Sequence, residues 1–340
     1  MRSRTRSAGR WLALLAACGL ALPAWAQGAT TTTLPLWPAG HLPKVVSGPE
    51  QVGTDGSATG AVRNVSEPRL EIHRAAVPNG SAALIVGGGG YFRIQVGSAA
   101  QPMAQWLSAI GVTSAVLVYR LPGDGWPAEA PFQDVQRAMR LLRAHAGELG
   151  IDPEKIGVIG SSAGANAAGI VATRWDHDFY PKADAADAGS ARPAFLAMLY
   201  PVVSMQPGLD ATRSARELST QPDYREAYSV ERHVRRDMPP VFLAQAIDDP
   251  IVDIRHSLAM YQAALAAKVP VELHAFDSGG HSWGLGAPGS GVGQWPGLFA
   301  NWARRHGWLG TAPAAAMPVG VPVAPRRAAG DDAPQEDEGD

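Results

Sequence analysis

The reading of the chain turns on KIGVIGSSAGANAAG, Lys155 to Gly169. Ile156, Val158 and Ile159 form a short apolar run suited to a strand covered on both faces, and Ala163 to Thr173 is rich in small helix formers. Between them Gly160-Ser161-Ser162-Ala163-Gly164 reads G-x-S-x-G at a strand-to-helix turn. So sharp a turn lifts the Ser162 hydroxyl above a sheet only if the backbone accepts strain and the flanking residues keep side chains out of the way. Gly160 and Gly164 meet that condition. Glycine is common here, 38 of 340 residues, so the pentapeptide takes its weight from the strand and helix on either side.

Outward from this turn the pattern repeats. Leu70 to His73 alternates as a half-buried strand, Ala82–Val86 and Ala115–Tyr119 are apolar runs suited to buried strands, and Phe195–Leu199, Val241–Ala246 and Val271–Phe276 are strand-like. Helical spacing marks Met103–Ile110, Phe132–Leu149 and Ile254–Lys268, with Arg137, Arg140 and Arg143 off the apolar stripe of the second and expected in solvent. Strands alternating with helices predict an α/β fold, a mostly parallel sheet covered on both faces. Leu36-Trp37-Pro38, in a Pro/Gly/Thr-rich lead-in at 27–62, is expected to tuck an aromatic against the domain at 63–310. The polar segment 204–238 breaks the rhythm and reads as an insertion beside the site, either a cap or a plain surface excursion.

Composition excludes several classes. With 46% hydrophobic and 18% charged residues and a formal net charge of -2, nothing favours nucleic acid as a partner. Arg2, Arg4, Arg6 and Arg10, the apolar Trp11–Leu22 and Ala24-Trp25-Ala26 predict a secretory signal peptide over 1–26, too short in its apolar part for a membrane span. Leu15-Ala16-Ala17-Cys18 offers a lipid-anchored alternative through Cys18, the only cysteine. Cleavage after Ala26 leaves a cysteine-free chain that needs neither disulfides nor a thiol nucleophile. The Ala/Pro-rich, acidic stretch 311–340 lacks the apolar surface to order itself and reads as a disordered tail.

A serine hydroxyl attacks only if a histidine takes its proton and a carboxylate fixes that histidine's tautomer. The chain supplies candidates in the order Ser, Asp, His. Asp248-Asp249-Pro250-Ile251-Val252 follows the strand at 241–246, and Gly279-Gly280-His281 follows the strand at 271–276. His281 alone of nine histidines sits just past a late strand behind a glycine pair, whereas His256 and His274 read as structural. A D-x-x-V arrangement favours Asp249, with Asp248 as the alternative and Asp253 as a helix cap. Gly87-Gly88-Gly89-Gly90 follows the strand at 82–86. A P-loop would need a following Lys-Ser/Thr, which is missing, so an oxyanion loop fits better, with donors at Gly89, Gly90 and Ala163. Tyr91, Trp126 and Trp283 fall near these segments, either as rings on which a substrate stacks or as simple packing. No H-E-x-x-H or similar spacing calls for a metal, and no cofactor is implied.

Taken together, Leu36-Trp37-Pro38, Gly88-Gly89-Gly90-Tyr91, Val118-Tyr119-Arg120-Leu121-Pro122, Asp134-Val135-Gln136-Arg137-Ala138, the Ser162 turn, the Asp249 loop and the segment Glu272 to His281 resemble bacterial α/β-hydrolases of the acetyl xylan esterase and bifunctional feruloyl/acetyl esterase type. The resemblance implies an α/β-hydrolase fold, the triad Ser162, Asp249 and His281, and acetyl esters of plant polysaccharides as substrates. Ala165-Asn166, Gly87 and Ser282-Trp283 depart from the family's usual residues, and all are expected beside the pocket. A prolyl-oligopeptidase-like peptidase and a non-catalytic binding protein are the rival readings; no long propeller-like domain precedes the first.

Overall fold

A computed structural model describes residues 31–56 and 59–310; the leader at 1–26, Cys18 and the tail at 311–340 lie outside the described residues. The strands are β1 (Thr31–Pro35), β2 (Gln51–Val52), β3 (Ala61–Arg63), β4 (Arg69–His73), β5 (Ala82–Val86), β6 (Ile94–Gln95), β7 (Thr113–Val118), β8 (Ile156–Ser161), β9 (Leu196–Leu199), β10 (Val241–Ala246) and β11 (Val271–Phe276). The helices are α1 (Gln101–Ala109), α2 (Ala130–Ala144), α3 (Ala146–Leu149), α4 (Ala163–Thr173), α5 (Arg213–Leu218), α6 (Tyr224–Ala227), α7 (Arg255–Ala266) and α8 (Trp295–Arg305).

Eight strands form one sheet in the order β1-β4-β7-β5-β8-β9-β10-β11, and β2, β3 and β6 form a small antiparallel one beside it. From β7 to β11 every neighbouring pair is parallel; only β1 and β4 run against their neighbours. The mostly parallel sheet follows from the apolar runs, because β5, β7, β8, β9 and β10 are buried along their whole length and need cover on both faces. Among the described residues no helix is long and apolar enough to cross a membrane.

Helix α4 lies directly on the sheet. All eleven of its residues are buried, and small side chains allow the close approach. A Cβ on Gly164 would collide with the carbonyl oxygen of Val86, so the helix and the end of β5 touch through backbone.

Helix α2 corrects one expectation. Arg137 and Arg140 are buried rather than solvated, because the segment 178–191 and the lead-in cover the face on which they stand. Arg137 donates from Nε to the Leu36 carbonyl at 3.0 Å and from Nη1 to Asp184 and Asp187 at 2.8 Å each, and Arg140 reaches Asp178 at 2.9 Å. Asp134, also buried, accepts from Arg120 and from Trp37 Nε1 at 2.8 Å, which fixes the aromatic of the lead-in where it was expected. Off-stripe charge therefore marks a second covered face, stabilised by planar guanidinium–carboxylate pairs.

Segment 204–238 carries α5 and α6. Its later half is fixed to the core, where Tyr228 stacks on Phe132 with centroids 4.7 Å apart and its carbonyl accepts from Asn166 Nδ2 at 2.9 Å. Helix α5 lies against the turn at Pro122–Asp124 and the glycine loop, where a Cβ on Gly90 would meet Arg213 Cγ at 2.9 Å.

Candidate active site

Four loops converge where β5, β8, β10 and β11 end. Register brings them level, since Val86 pairs with Gly160 and Ala246 with Phe276. Ser162 sits at the turn from β8 into α4 with φ 51° and ψ −121°, the strained backbone the glycine spacing predicted. Its amide donates to the Leu199 carbonyl at 3.0 Å, which anchors the turn to β9.

His281 comes from the loop after β11 and places Nε2 3.0 Å from Ser162 Oγ. Its Nδ1 lies 2.6 Å from Asp249 Oδ2, and the Asp249 side chain is fully buried. The other oxygen of Asp249 accepts from the amides of Ile251 and Val252 at 2.9 Å each. A carboxylate oxygen accepts, so the proton belongs on Nδ1 and Nε2 is left free to accept one from the serine. Asp248 faces a different group and accepts from the Gly280 amide at 2.8 Å, tying the Asp loop to the backbone just before His281.

The amides of Gly89, Gly90 and Ala163 find no acceptor among the described residues. Gly88 is different, because its amide donates to Ser161 Oγ at 3.0 Å and a Cβ there would stand 2.8 Å from Ser162 Cβ. The glycine loop is thus pinned against the serine turn with the next two amides unused. Donors fixed in this way suit an oxygen that gains negative charge.

Tyr200 was not singled out in the sequence. Its hydroxyl faces Ser161 and the backbone of Gly284, and burial pushes the phenol up to about 12. Its ring meets His281 edge-on at 4.8 Å and Trp283 at 4.5 Å. One side chain therefore joins the serine turn to the histidine loop. The available signal was a tyrosine one position beyond an apolar strand, at the edge where the other site loops emerge.

Two of the three aromatics expected to stack on sugars do not face the site. Tyr91 is wholly buried beneath the glycine loop and donates to Asn166 Oδ1 at 2.9 Å. Trp126 is buried with Arg120 over its ring and donates to the Val65 carbonyl at 2.9 Å. Trp283 is half-exposed beside Tyr200. Asn166, expected near the pocket, is instead a core residue bridging Tyr91 and Tyr228. His256 is structural, since burial pulls it down to about 4 while its Nδ1 accepts from the amides of Val203 and Ser204 at 3.1 Å. His274 pairs with Glu272 at 2.9 Å. Among the described residues, no three acidic, His or Cys side chains are grouped to hold a metal ion.

Known proteins resemble this chain in sequence and in fold. The BD-FAE family model matches residues 70–264. Acetylxylan esterase of Xylanibacter ruminicola is 28% identical over 217 residues, covering 62% of this chain and 42% of that protein. The probable carboxylic ester hydrolase LipM of Mycobacterium tuberculosis is 28% identical over 206 residues, covering 52% of this chain and 45% of that protein. The chain thus spans less than half the length of these curated relatives. Among solved structures, an acetyl ester-xyloside bifunctional hydrolase from Caldicellulosiruptor lactoaceticus superposes with a TM-score of 0.69 at 30% identity, over 82% of this chain and 97% of that one. The carboxylesterase Cest-2923 of Lactobacillus plantarum shares the fold, with a TM-score of 0.62 at 22% identity over 72% and 95% of the two chains.

Proposed function

The chain belongs to the BD-FAE family, and from that premise we propose that it is an exported serine esterase that removes small acyl groups, acetyl above all, from plant polysaccharides such as xylan. The observation that carries the reading is the chain of contacts from Asp249 Oδ2 through His281 to Ser162 Oγ, at 2.6 and 3.0 Å, beside unused amides.

In this reading Ser162 Oγ attacks the ester carbonyl carbon as its proton passes to His281 Nε2. Asp249 holds the Nδ1 proton and stabilises the imidazolium. The carbonyl oxygen, now negative, takes hydrogen bonds from Ala163 and from Gly89 or Gly90; each such donor is worth about 3 kcal/mol in the transition state. Collapse breaks the bond to the alcohol, which leaves with the proton from Nε2. Water then attacks the acyl-serine by the same steps and restores the hydroxyl. The acetyl and polysaccharide parts of the proposal rest on what the relatives are named for, and export on the leader pattern at 1–26.

The test offers wild-type protein and Ser162→Ala a small acetyl ester, acetylated xylan, a feruloyl ester and short peptides. Turnover of acetyl esters by wild type alone is the expected result. Equal rates from both proteins would end the serine mechanism, and cleavage of peptides in preference to esters would favour a peptidase. Export is checked by fractionating cells that express the full chain.

A further inference from the structure

A cleft of about 230 Å³ opens beside the glycine loop, lined by Gln51, Arg63, Asn64, Phe92, Asp124 and Arg213 among others. The glycine loop runs between it and Ser162. The Gly89 carbonyl accepts from the amides of Phe92 and Arg93 at 3.4 and 3.3 Å, so the loop folds back and holds the Cα atoms of Gly89 and Phe92 within about 7 Å. Its other end, at Gly88, touches Ser162. A sugar unit adjoining the one that carries the ester would reach the cleft.

The charges there are uneven. Guanidiniums of Arg213 and Arg93 lie 4.6 and 5.1 Å from the centre of the Phe92 ring, which holds both in place. Among the described residues Arg63 bonds Gln51 Oε1 at 3.4 Å and its charge acts on the Asp124 carboxyl, but neither Arg63 nor Arg93 closes a salt bridge. Arg93 Nε is buried without an acceptor, and burial together with the like charge of Arg63 lowers the pKa of Arg93. Two carboxylates oppose these three cations, and both are engaged: Asp124 accepts from the Val65 amide at 3.0 Å, and Glu217 pairs with Arg213 at 2.5 Å. A surplus of planar, pre-positioned donors suits a carboxylate.

We propose that this cleft is a subsite for a carboxylate-bearing sugar, a hexuronate next to the esterified unit, with Arg63 and Arg213 meeting its carboxylate. The inference rests on the esterase reading and narrows its substrate to acidic polysaccharide.

The test compares kcat/KM of the full chain on an acetylated xylo-oligosaccharide bearing glucuronate and on the same compound with its carboxyl reduced to an alcohol. The acidic substrate should be favoured at least about fivefold at low ionic strength. That ratio should shrink in high salt and fall to about one in an Arg63→Ala/Arg213→Ala double variant. Equal rates on the two substrates in wild type, or a preference that survives the double variant, would overturn the proposal. A second arm needs no turnover: Ser162→Ala protein is titrated calorimetrically with the deacetylated acidic oligosaccharide. Binding that disappears with the two arginines while no ester is hydrolysed by wild type would remove the esterase reading and leave the subsite. Ester hydrolysis with no such binding would remove the subsite alone.

Discussion

Replacing Asp249 by asparagine should lower kcat/KM for a small acetyl ester by about four orders of magnitude, and the geometry says why. The amide oxygen of an asparagine can still accept from Ile251 and Val252, which Asp249 now holds at 2.9 Å, so the loop keeps its shape. The remaining atom becomes an NH2 group facing His281 Nδ1, where a carboxylate oxygen now lies 2.6 Å away. A donor there needs a lone pair on Nδ1, which moves the imidazole proton to Nε2, and a protonated Nε2 cannot take the proton of Ser162. Four factors of ten correspond to about 5.4 kcal/mol of lost transition-state stabilisation, the size expected when only the tautomer is wrong. Asp248 sets the contrast. Asp248→Asn keeps an oxygen for the Gly280 amide, and Asp248→Ala loses one hydrogen bond of about 1 kcal/mol, so neither should cost more than about tenfold. Initial rates on p-nitrophenyl acetate, with thermal melts to confirm folding, would read both. The reasoning is refuted if Asp248→Asn falls as far as Asp249→Asn, or if Asp249→Asn stays within about tenfold of the parent.

Other expectations follow from single contacts. Tyr200→Phe keeps the ring against His281 but loses the hydroxyl that faces Ser161 and Gly284; kcat should drop about tenfold with KM nearly unchanged, and a rise in KM instead would make Tyr200 a substrate contact. Arg137→Ala would leave the fully buried Asp187 carboxylate with only the more distant Arg140 as counter-charge, beside the Tyr180 hydroxyl and the Ala183 amide, and cost about 3 kcal/mol in urea unfolding; a loss under about 1 kcal/mol would show that these partners suffice. His256 predicts a pH dependence. Burial lowers its folded pKa from 6.5 to about 4, so between those values the unfolded chain binds the proton and the native chain does not. Stability from this site is therefore present above about pH 6.5 and is lost as pH falls toward about 4, by roughly 3 kcal/mol in all. Denaturant midpoints of wild type and His256→Asn, compared at the two ends of that window, should converge at the acid end; parallel curves would assign the acid sensitivity elsewhere.

The parallel sheet and its order along the chain were legible because fully buried strands carry no polar alternation and stand out as apolar runs. The positions of Ser162, Asp249 and His281 were legible for a related reason: each follows a strand end and is flanked by residues that only a turn requires. Arg137 and Arg140 escape the pattern because helical periodicity reports which face meets the sheet and says nothing of a second face covered by a distant segment such as 178–191. Tyr91 and Trp126 were misread because an aromatic beside a site in sequence can point down from its loop as easily as up, and only burial distinguishes the two. Phe92 gave no local signal and Tyr200 only its place one residue past an apolar strand, since their importance comes from what other loops bring to them.

Helix α4 bears on how this protein could be re-engineered. Its eleven residues are all covered, and a side chain at Gly164 would run into the strand beneath. A mutant library spread over 163–173 would mostly return insoluble chains, because any added bulk there levers the serine away from its neighbours. Altered selectivity is better sought on the opposite bank, at Phe92, Arg93 and Arg213, whose side chains pack on one another beside the cleft and away from the layer that holds the nucleophile.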